Sequence, residues 1–438
     1  MMKKYIAVIQ AGGMGTRMLE LTRNEVPKPL FPLDGKPMIQ WQIENLKAYG
    51  ITEIVIIIGY LGEKIKEYFK DGEAFGINIQ YIEEKEPLGS GGALYYLKNM
   101  ISNGSFLFIF GDIMFDMDIH RMLRFHEEKQ AQITLLMHPN SHPYDSDVLL
   151  IDEQKRVTGI LSKKDKRTDW YDNCTNAGIY VINADVLEKI TEPKKLDLEK
   201  EVILPLITDN VVYGYHTTEY VKDAGTVSRF FEVEEAHRNG VWQKRNLRNK
   251  QKCVFLDRDG TINVYKGLLD SDELFELENG VSAAIRQLNE AGYLVIVVTN
   301  QPVVARGMCD IADVNKIHRK MQVLLGEQGA YVDDIAFCPH HPDKGYPEEN
   351  PKYKIVCNCR KPATGMIDKM VGKYNIDTAE SYIIGDSTID IQTGKNAGLR
   401  TILVETGMAG KDGKFDVKAD LMAEDLEVAV QKIIQMVE

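Results

Sequence analysis

Cysteine is scarce in this sequence and unevenly used. Of six in 438 residues, Cys174, Cys253 and Cys309 stand alone, whereas Cys338, Cys357 and Cys359 cluster. That spread is not a disulfide framework; it points to a metal site in a reducing compartment. Long apolar runs are missing as well. No window approaches the roughly 18 apolar residues that a membrane span needs, and no lipidation motif stands at either end. The opening Met1-Met2-Lys3-Lys4 and the apolar Tyr5–Ile9 have the polarity of a signal peptide. Gln10 and a glycine loop interrupt them, so a buried first strand is expected instead. Positive charge is also in deficit. A net charge of −12 opposes non-specific nucleic-acid binding, because a phosphate backbone would meet a repulsive field. Anionic ligands therefore need local positive pockets. With no repeat or low-complexity tract either, the expectation is a folded, cytoplasmic protein with no nucleic-acid or membrane partner, its homo-oligomerisation left open.

What is present is an α/β rhythm. The composition, 44% hydrophobic and 27% charged, is ordinary for a globular protein, and the length is too great for one core, so two domains are expected. Apolar runs of strand length, Ile6–Ile9, Ile54–Ile58, Ile77–Ile82 and Phe106–Phe110, alternate with helix-like segments. Pro37 opens one helix and Gly50 ends it; Gly62–Phe69 reads as another. Around residues 232–252 the chain turns polar and basic, which reads as a solvated helix and linker. A second series follows, with strands at Cys253–Leu256, Tyr293–Val298, Ser381–Ile384 and Thr401–Val404. The expected domains are residues 1–240 and 251–438, joined by a linker over 241–250.

The first strand runs into Gln10-Ala11-Gly12-Gly13-Met14-Gly15-Thr16-Arg17. Glycines permit backbone approach to an anion, and a hydroxyl and a guanidinium follow, so phosphate is the natural guest. The spacing is neither a Walker loop nor the dinucleotide fingerprint. Ten residues later, Pro27-Lys28-Pro29 stiffens an extended segment and fixes one lysine's direction. Gly111-Asp112 places a carboxylate at a strand's C-terminal end, where ligands of open α/β sheets gather.

These residues resemble the sugar-1-phosphate nucleotidyltransferases, with their G-G-x-G-T-R loop and P-K-P segment, over about residues 1–240. The resemblance implies a Rossmann-like, GT-A-like domain. It implies that Gly12, Gly13, Gly15, Thr16 and Arg17 hold a nucleoside triphosphate, with Lys28 on its phosphates. Pro87-Leu88-Gly89-Ser90-Gly91-Gly92-Ala93 is similar to the family's base- and sugar-reading loop, and Asp112 and Asp223 to its Mg²⁺ carboxylates, the latter within a D-x-G-T motif. A family Glu-Lys pair corresponds to Ser162-Lys163, and Asn-x-Gly to Asn176-Ala177-Gly178. Lys163 is thereby assigned to the sugar phosphate, with Lys164 as competitor. Serine stands where the family has glutamate, so a sugar-hydroxyl contact must come from elsewhere.

The second domain opens with Asp257-Arg258-Asp259-Gly260-Thr261 after a buried strand. Two carboxylates two residues apart point the same way and can share a cation. Thr299-Asn300-Gln301, Arg360-Lys361-Pro362 and Gly385-Asp386 through Asp390 follow in the order a phosphatase needs. Cys338, His340, Cys357 and Cys359 form a C-x-H, C-x-C set, a closed zinc tetrahedron of structural type; directly after it come Arg360 and Lys361, which zinc should orient.

This constellation resembles the haloacid-dehalogenase (HAD) phosphatases over residues 250–438, a Rossmannoid fold with a zinc-binding loop. The resemblance implies that Asp257 attacks phosphorus and Asp259 serves as general acid and base. Thr299 and Lys361 would hold the phosphoryl group, and Asp257, Asp259 (through its backbone carbonyl) and Asp386 would hold Mg²⁺, supported by Asp390. The C-x-H-H-P and C-x-C-R-K-P runs are similar to those of D-glycero-D-manno-heptose 1,7-bisphosphate phosphatases and their histidinol-phosphatase relatives, where Arg360 and Asn300 would meet substrate. Pro302-Val303 and Tyr265–Leu268 depart from that pattern. The two resemblances together imply a bifunctional enzyme that removes a 7-phosphate and then transfers a nucleotidyl group to the heptose 1-phosphate. Guanylyl transfer from GTP to the α-anomer is favoured, and an ADP route is second. The alternatives are a histidinol-phosphatase domain fused to another nucleotidyltransferase, and a non-catalytic N-terminal regulatory module.

Overall fold

A computed structural model describes residues 4–343, 345 and 348–436; the opening Met1-Met2-Lys3 lies outside the described residues. The chain divides into two compact units, residues 1–138, 149–161 and 176–246 in one and residues 139–148, 162–175 and 247–438 in the other. Among the described residues no helix is long and apolar enough to cross a membrane.

In the first unit the strands are β1 (Ile6–Gln10), β2 (Glu53–Ile58), β3 (Asn78–Glu83), β4 (Ser105–Phe110), β5 (Ile113–Asp116), β6 (Ile133–His138), β7 (Val148–Ile151), β8 (Val157–Leu161), β9 (Thr175–Asn183), β10 (Val212–His216) and β11 (Tyr220–Asp223). The helices that matter are α1 (Met38–Ala48), α2 (Gly62–Phe69), α3 (Ile119–Lys129) and α4 (Val227–Arg238). The main sheet runs β8-β7-β9-β4-β1-β2-β3, with β6 pairing β9 and β10 beside it. β1 is parallel to both β2 and β4, whereas β9 meets β4 antiparallel. Alternate residues of the central strands, Ala7 and Ile9, Ile54 and Ile56, Leu107 and Ile109, bury into one apolar cluster with α1 and α2, as the two-residue period of a strand dictates. β1 is thus a topological switch point, and a crevice opens at its C-terminal end. The Pro37 and Gly50 punctuation works as expected: α1 follows Pro37, and Gly50 adopts φ 74° just past it. The stretch expected to be linker begins differently. Val241–Arg245 forms a helical turn, and Trp242 is buried against Tyr220, Trp41 and His237.

The second unit is built on a wholly parallel sheet. Its strands are β12 (Cys253–Leu256), β13 (Leu294–Asn300), β14 (Asp334–Cys338), β15 (Tyr382–Gly385), β16 (Arg400–Val404) and β17 (Leu421–Ala423), in the order β14-β13-β12-β15-β16-β17. Helices α5 (Val281–Glu290), α6 (Ile311–Gly326), α7 (Gly365–Tyr374), α8 (Thr388–Ala397) and α9 (Leu426–Gln435) complete it. Along β12, Val254 and Leu256 join one core cluster while Cys253 and Phe255 join the other, so the strand is buried on both faces. This explains its unbroken apolar run. Because β13 and β15 flank β12, the chain reverses direction of winding there, and the C-terminal ends of these three strands frame the second site.

Candidate active sites

The first site assembles around the ends of β1 and β4. After β1 the chain bends through Gly12, where an added Cβ would fall 2.1 Å from a carboxylate oxygen of Glu84. It then passes through Gly15 in a left-handed conformation (φ 61°) that opens the turn carrying Thr16 and Arg17. Gly13 has open space around it. Gly15 packs against the stem of Lys28, since a Cβ there would meet Lys28 Cβ at 3.0 Å. Lys28 is buried, and its ammonium is 2.6 Å from Asp112 Oδ2. The short antiparallel pair β5–β11 sets Asp223 opposite Ile113, hence beside Asp112, and the Ala224 N–H donates to the Asp112 carbonyl at 2.8 Å. A Cβ on Gly225 would sit 2.5 Å from Asp223 Oδ1, 3.0 Å from Arg17 Nη2 and 3.3 Å from Asp112 Oδ2. Three residues scattered from 17 to 223 in sequence therefore converge about one glycine, and Lys28 joins them through Asp112. Two cations and two carboxylates, backed by glycine-loop amides, suit phosphate and a divalent cation together.

Sequence reasoning missed Arg229, whose Nη1 donates to Asp223 Oδ2 at 2.7 Å from the first turn of α4. It also missed Glu199. Asn176 donates to Glu199 Oε1 at 2.6 Å and to the Tyr180 hydroxyl at 2.7 Å, and burial, followed by the Glu199 charge, holds that phenol well above its usual range. Gly89 (φ 76°) lies against Leu196, whose carbonyl a Cβ would meet at 2.5 Å, and Ser90 Oγ accepts from the Leu198 N–H at 2.9 Å. The Gly89 loop and Asn176 are thus tied to one segment, residues 196–199. Lys163 falls in the other compact unit. Its backbone N–H donates to Asp147 at 2.7 Å, and its ammonium stands 3.8 Å from Asp145.

In the second site Asp257 follows β12, Thr299 lies on β13 and Asp386 follows β15. Carboxylate oxygens of Asp257, Asp386 and Asp390 lie within 4.8 Å of one another. Lys361 Nζ bridges two of them, 2.9 Å from Asp257 Oδ1 and 2.5 Å from Asp390 Oδ1. Burial first, then the Asp390 charge, pushes Asp257 up to about 7, with Lys361 pulling the other way. Burial, then Asp257 and Asp390, pushes Asp386 up to about 8. Three carboxylates facing one ammonium leave a negative excess that a divalent cation would satisfy. Asp386 is wedged between two glycines, since a Cβ on Gly260 or Gly407 would fall 2.3 or 2.2 Å from its Oδ2. Asp390 also completes the capping box of α8 with the N-cap Ser387, accepting from its N–H at 3.2 Å and its Oγ at 2.6 Å.

One expectation needs adjustment. Asp257 and Asp259 do not present their carboxylates together to the cation cluster. The strand ends at Leu256, so its alternation stops before them, and the Asp259 carboxylate is held by Arg258 and Gln301 instead. Asn300, expected to meet substrate, directs both ends of its amide at Lys361, donating to its carbonyl at 3.1 Å and accepting from its N–H at 3.0 Å. It positions the lysine.

Cys338 ends β14, and His340, Cys357 and Cys359 close around it. The sulfurs stand 3.2 to 3.6 Å apart, and His340 Nδ1 is 3.3 Å from Cys359 Sγ and 3.6 Å from Cys338 Sγ. These separations exceed a disulfide bond and approach the edges, about 3.7 Å, of a tetrahedron with Zn–S bonds of about 2.3 Å. Burial, and then the neighbouring thiols, pushes the Cys338 thiol far up; a cation would stabilise the thiolates. Arg360, directly after Cys359, donates to the His340 carbonyl at 3.1 Å. His341 stays outside the cluster and accepts from the Asp343 N–H instead.

The two geometries define an enzyme with separate phosphate-handling centres, one shaped for nucleotidyl transfer and one of HAD type. The nucleotidyl transferase family model matches residues 6–240, more than half the chain, and a HAD-hydrolase-like model matches residues 358–429. D-glycero-beta-D-manno-heptose-1,7-bisphosphate 7-phosphatase of Haemophilus ducreyi is 39% identical over 178 residues, 40% of this chain and 94% of that protein. Mannose-1-phosphate guanylyltransferase of Mycobacterium tuberculosis is 32% identical over 227 residues, 51% of this chain; the chain spans 62% of that enzyme's length. Among solved structures, D,D-heptose 1.7-bisphosphate phosphatase from B. bronchiseptica complexed with magnesium and phosphate is 34% identical, covers 42% of this chain and 99% of that one, and has a TM-score of 0.38. The chain therefore belongs to the nucleotidyl transferase family and, through its C-terminal part, to the HAD-type heptose-bisphosphate 7-phosphatases. It is a bifunctional enzyme, a nucleotidyltransferase and a phosphatase on one polypeptide.

Proposed function

We propose that this chain converts D-glycero-D-manno-heptose 1,7-bisphosphate to the heptose 1-phosphate and then joins that product to a nucleotide, GMP from GTP being favoured, with release of pyrophosphate. One observation carries the reading. A chain that covers nearly all of a 7-phosphatase relative also carries a nucleotidyl transferase, and removing the 7-phosphate leaves a sugar 1-phosphate, the acceptor that such a transferase needs. The guanylyl preference rests on the name of the relative, a guanylyltransferase. The working domains would be residues 1–240 and 251–438.

In the phosphatase, a carboxylate oxygen of Asp257 attacks phosphorus, and the bond to the sugar oxygen breaks. Asp259 gives that oxygen its proton, then takes one from the water that opens the aspartyl phosphate. Lys361 and Thr299 hold the phosphoryl oxygens, and Arg360 would meet the rest of the substrate. Asp257, Asp386 and the Asp259 carbonyl would hold Mg²⁺, which supplies charge neutralisation between anionic nucleophile and anionic ester. Zinc in the Cys338, His340, Cys357 and Cys359 cluster would be structural, since four protein ligands leave no position for water. In the transferase, a sugar-phosphate oxygen displaces pyrophosphate from the α-phosphorus of the triphosphate. Arg17, Lys28 and the amides of Gly12, Gly13, Gly15 and Thr16 neutralise and align its phosphates, while Asp112 and Asp223 would hold a second Mg²⁺. Gly89 and Asn176 are assigned to the base and the sugar.

The test is incubation of the full chain with α- and β-anomers of the heptose bisphosphate, Mg²⁺ and each nucleoside triphosphate in turn, with products identified by mass. A GDP-heptose formed only when phosphate is also released supports the scheme. Phosphate release with no nucleotide-sugar from any triphosphate overturns the transferase half; a different nucleotide-sugar overturns only the guanylyl preference.

A further inference from the structure

One buried titratable side chain has no part in the steps above. His318 lies on α6, 4% exposed, with its ring edge-on to Phe337 at 5.3 Å between centroids. Its Nε2 stands 3.3 Å from Nη1 of Arg258. A guanidinium can only donate, so Nε2 accepts and the ring is neutral, its proton on Nδ1. Burial, followed by the Arg258 charge, lowers the basicity of the ring in the same sense.

Arg258 is wholly buried between the two carboxylates of the catalytic loop, and its remaining nitrogens turn to one of them. Nε donates to Asp259 Oδ1 at 3.2 Å; Nη2 donates to Oδ1 at 3.0 Å and to Oδ2 at 2.9 Å. Gln301 completes the frame, its Nε2 reaching Asp259 Oδ2 at 2.8 Å and Thr299 Oγ1 at 2.9 Å. The Asp259 carboxylate is therefore gripped by a side chain that is itself oriented from behind by the imidazole. Without that acceptor a buried N–H of Arg258 would be orphaned, and the guanidinium would turn toward another partner.

We propose that His318 is a positioning residue of the phosphatase: by accepting from Arg258 Nη1 it sets the guanidinium against Asp259 and so fixes the carboxylate that exchanges a proton with the leaving group. The inference rests on the reading of Asp259 as general acid and base. Proton exchange is sensitive to placement, because a displacement of about 1 Å at a reacting group can cost on the order of 100-fold in rate. A sugar alkoxide must be protonated as it leaves, whereas 4-nitrophenolate departs without a proton. Loss of position at Asp259 should therefore be felt with the first leaving group and little with the second.

The experiment compares the full-length, Mg²⁺-loaded chain with His318→Leu and His318→Gln, measuring phosphoenzyme formation by rapid quench from the heptose bisphosphate and from 4-nitrophenyl phosphate. We expect His318→Leu to slow the step about 10-fold or more with the sugar ester and less than about 3-fold with the aryl ester, at nearly unchanged KM. His318→Gln, whose amide oxygen can accept from Arg258, should recover most of the loss. Equal slowing with both esters, no slowing with either, or a glutamine variant no better than leucine overturns the inference. If thermal melting finds His318→Leu unfolded, His318→Asn, polar but too short to reach, takes its place under the same criteria. A wild-type chain that forms no phosphoenzyme from either ester would overturn the phosphatase reading itself, whereas wild-type turnover with undiscriminating variants overturns the role of His318 alone.

Discussion

At the scale of single residues, the phosphatase centre is a problem of crowded charge. Asp257 is pushed up to about 7 and Asp386 up to about 8, by burial first and by neighbouring carboxylates second, whereas in an unfolded chain both ionise near pH 4, about the ordinary aspartate value. Between those limits the folded, metal-free protein binds more protons than the unfolded one. Its stability should therefore fall as pH rises from about 4 to about 8. Mg²⁺ supplies positive charge in place of those protons, so its stabilising effect should grow over the same window and its binding should release protons. Thermal melts in chelator and in excess Mg²⁺ at pH 5.5 and pH 8 check the first point, and titration in weak buffer the second. An Mg²⁺-induced shift equal at both pH values would contradict this account.

At the scale of elements, both sites pack charged groups against glycines, where a Cβ would collide with them. Gly225 joins β11 to α4 where Asp223, Arg17 and Asp112 converge. Gly225→Ala should force these groups apart and lower nucleotidyl transfer by on the order of 100-fold, with little loss of phosphatase rate. Pyrophosphate release and phosphate release, measured on the same preparation, separate the two effects. The helical turn Val241–Arg245 makes a different kind of contribution. Trp242, 2% exposed and stacked 5.1 Å from Tyr220, closes the cluster that also holds Phe230 of α4. Trp242→Ala should destabilise the first unit by about 3–5 kcal/mol, read as an earlier denaturant midpoint for that unit.

At the scale of the whole molecule, the proposed zinc cluster belongs to only one of the two centres, so the two activities should be separable without mutation. Stripping the cysteine cluster with a zinc chelator and then restoring Mg²⁺ should lower phosphatase turnover about 10–100-fold, because Arg360 and Lys361 follow Cys359 directly and Arg360 is tied to the His340 carbonyl. Pyrophosphate release should persist. Metal analysis giving one zinc per chain before treatment, and none after, accompanies the assay. Equal loss of both activities would show that the cluster supports more than the substrate loop.

Much of this was readable from the chain alone, because the chemistry is written in short motifs. The glycine loop through Arg17 and Asp257 through Asp259 each follow a strand end that local periodicity placed to within a residue or two, while the Pro27-Lys28-Pro29 segment and the Cys338, His340, Cys357 and Cys359 set are legible as local spacings. What tertiary structure decided are the pairings between motifs. Arg229 reaches Asp223 only because α4 folds back after Gly225, Asn300 clamps Lys361 across 61 residues, and His318 meets Arg258 across 60. No local signal marks such contacts, since strand register and helix packing set them. The same holds for Asp259: its spacing from Asp257 suggested a shared cation, but the strand ends one residue before the first aspartate, and a buried arginine decides where the second one points.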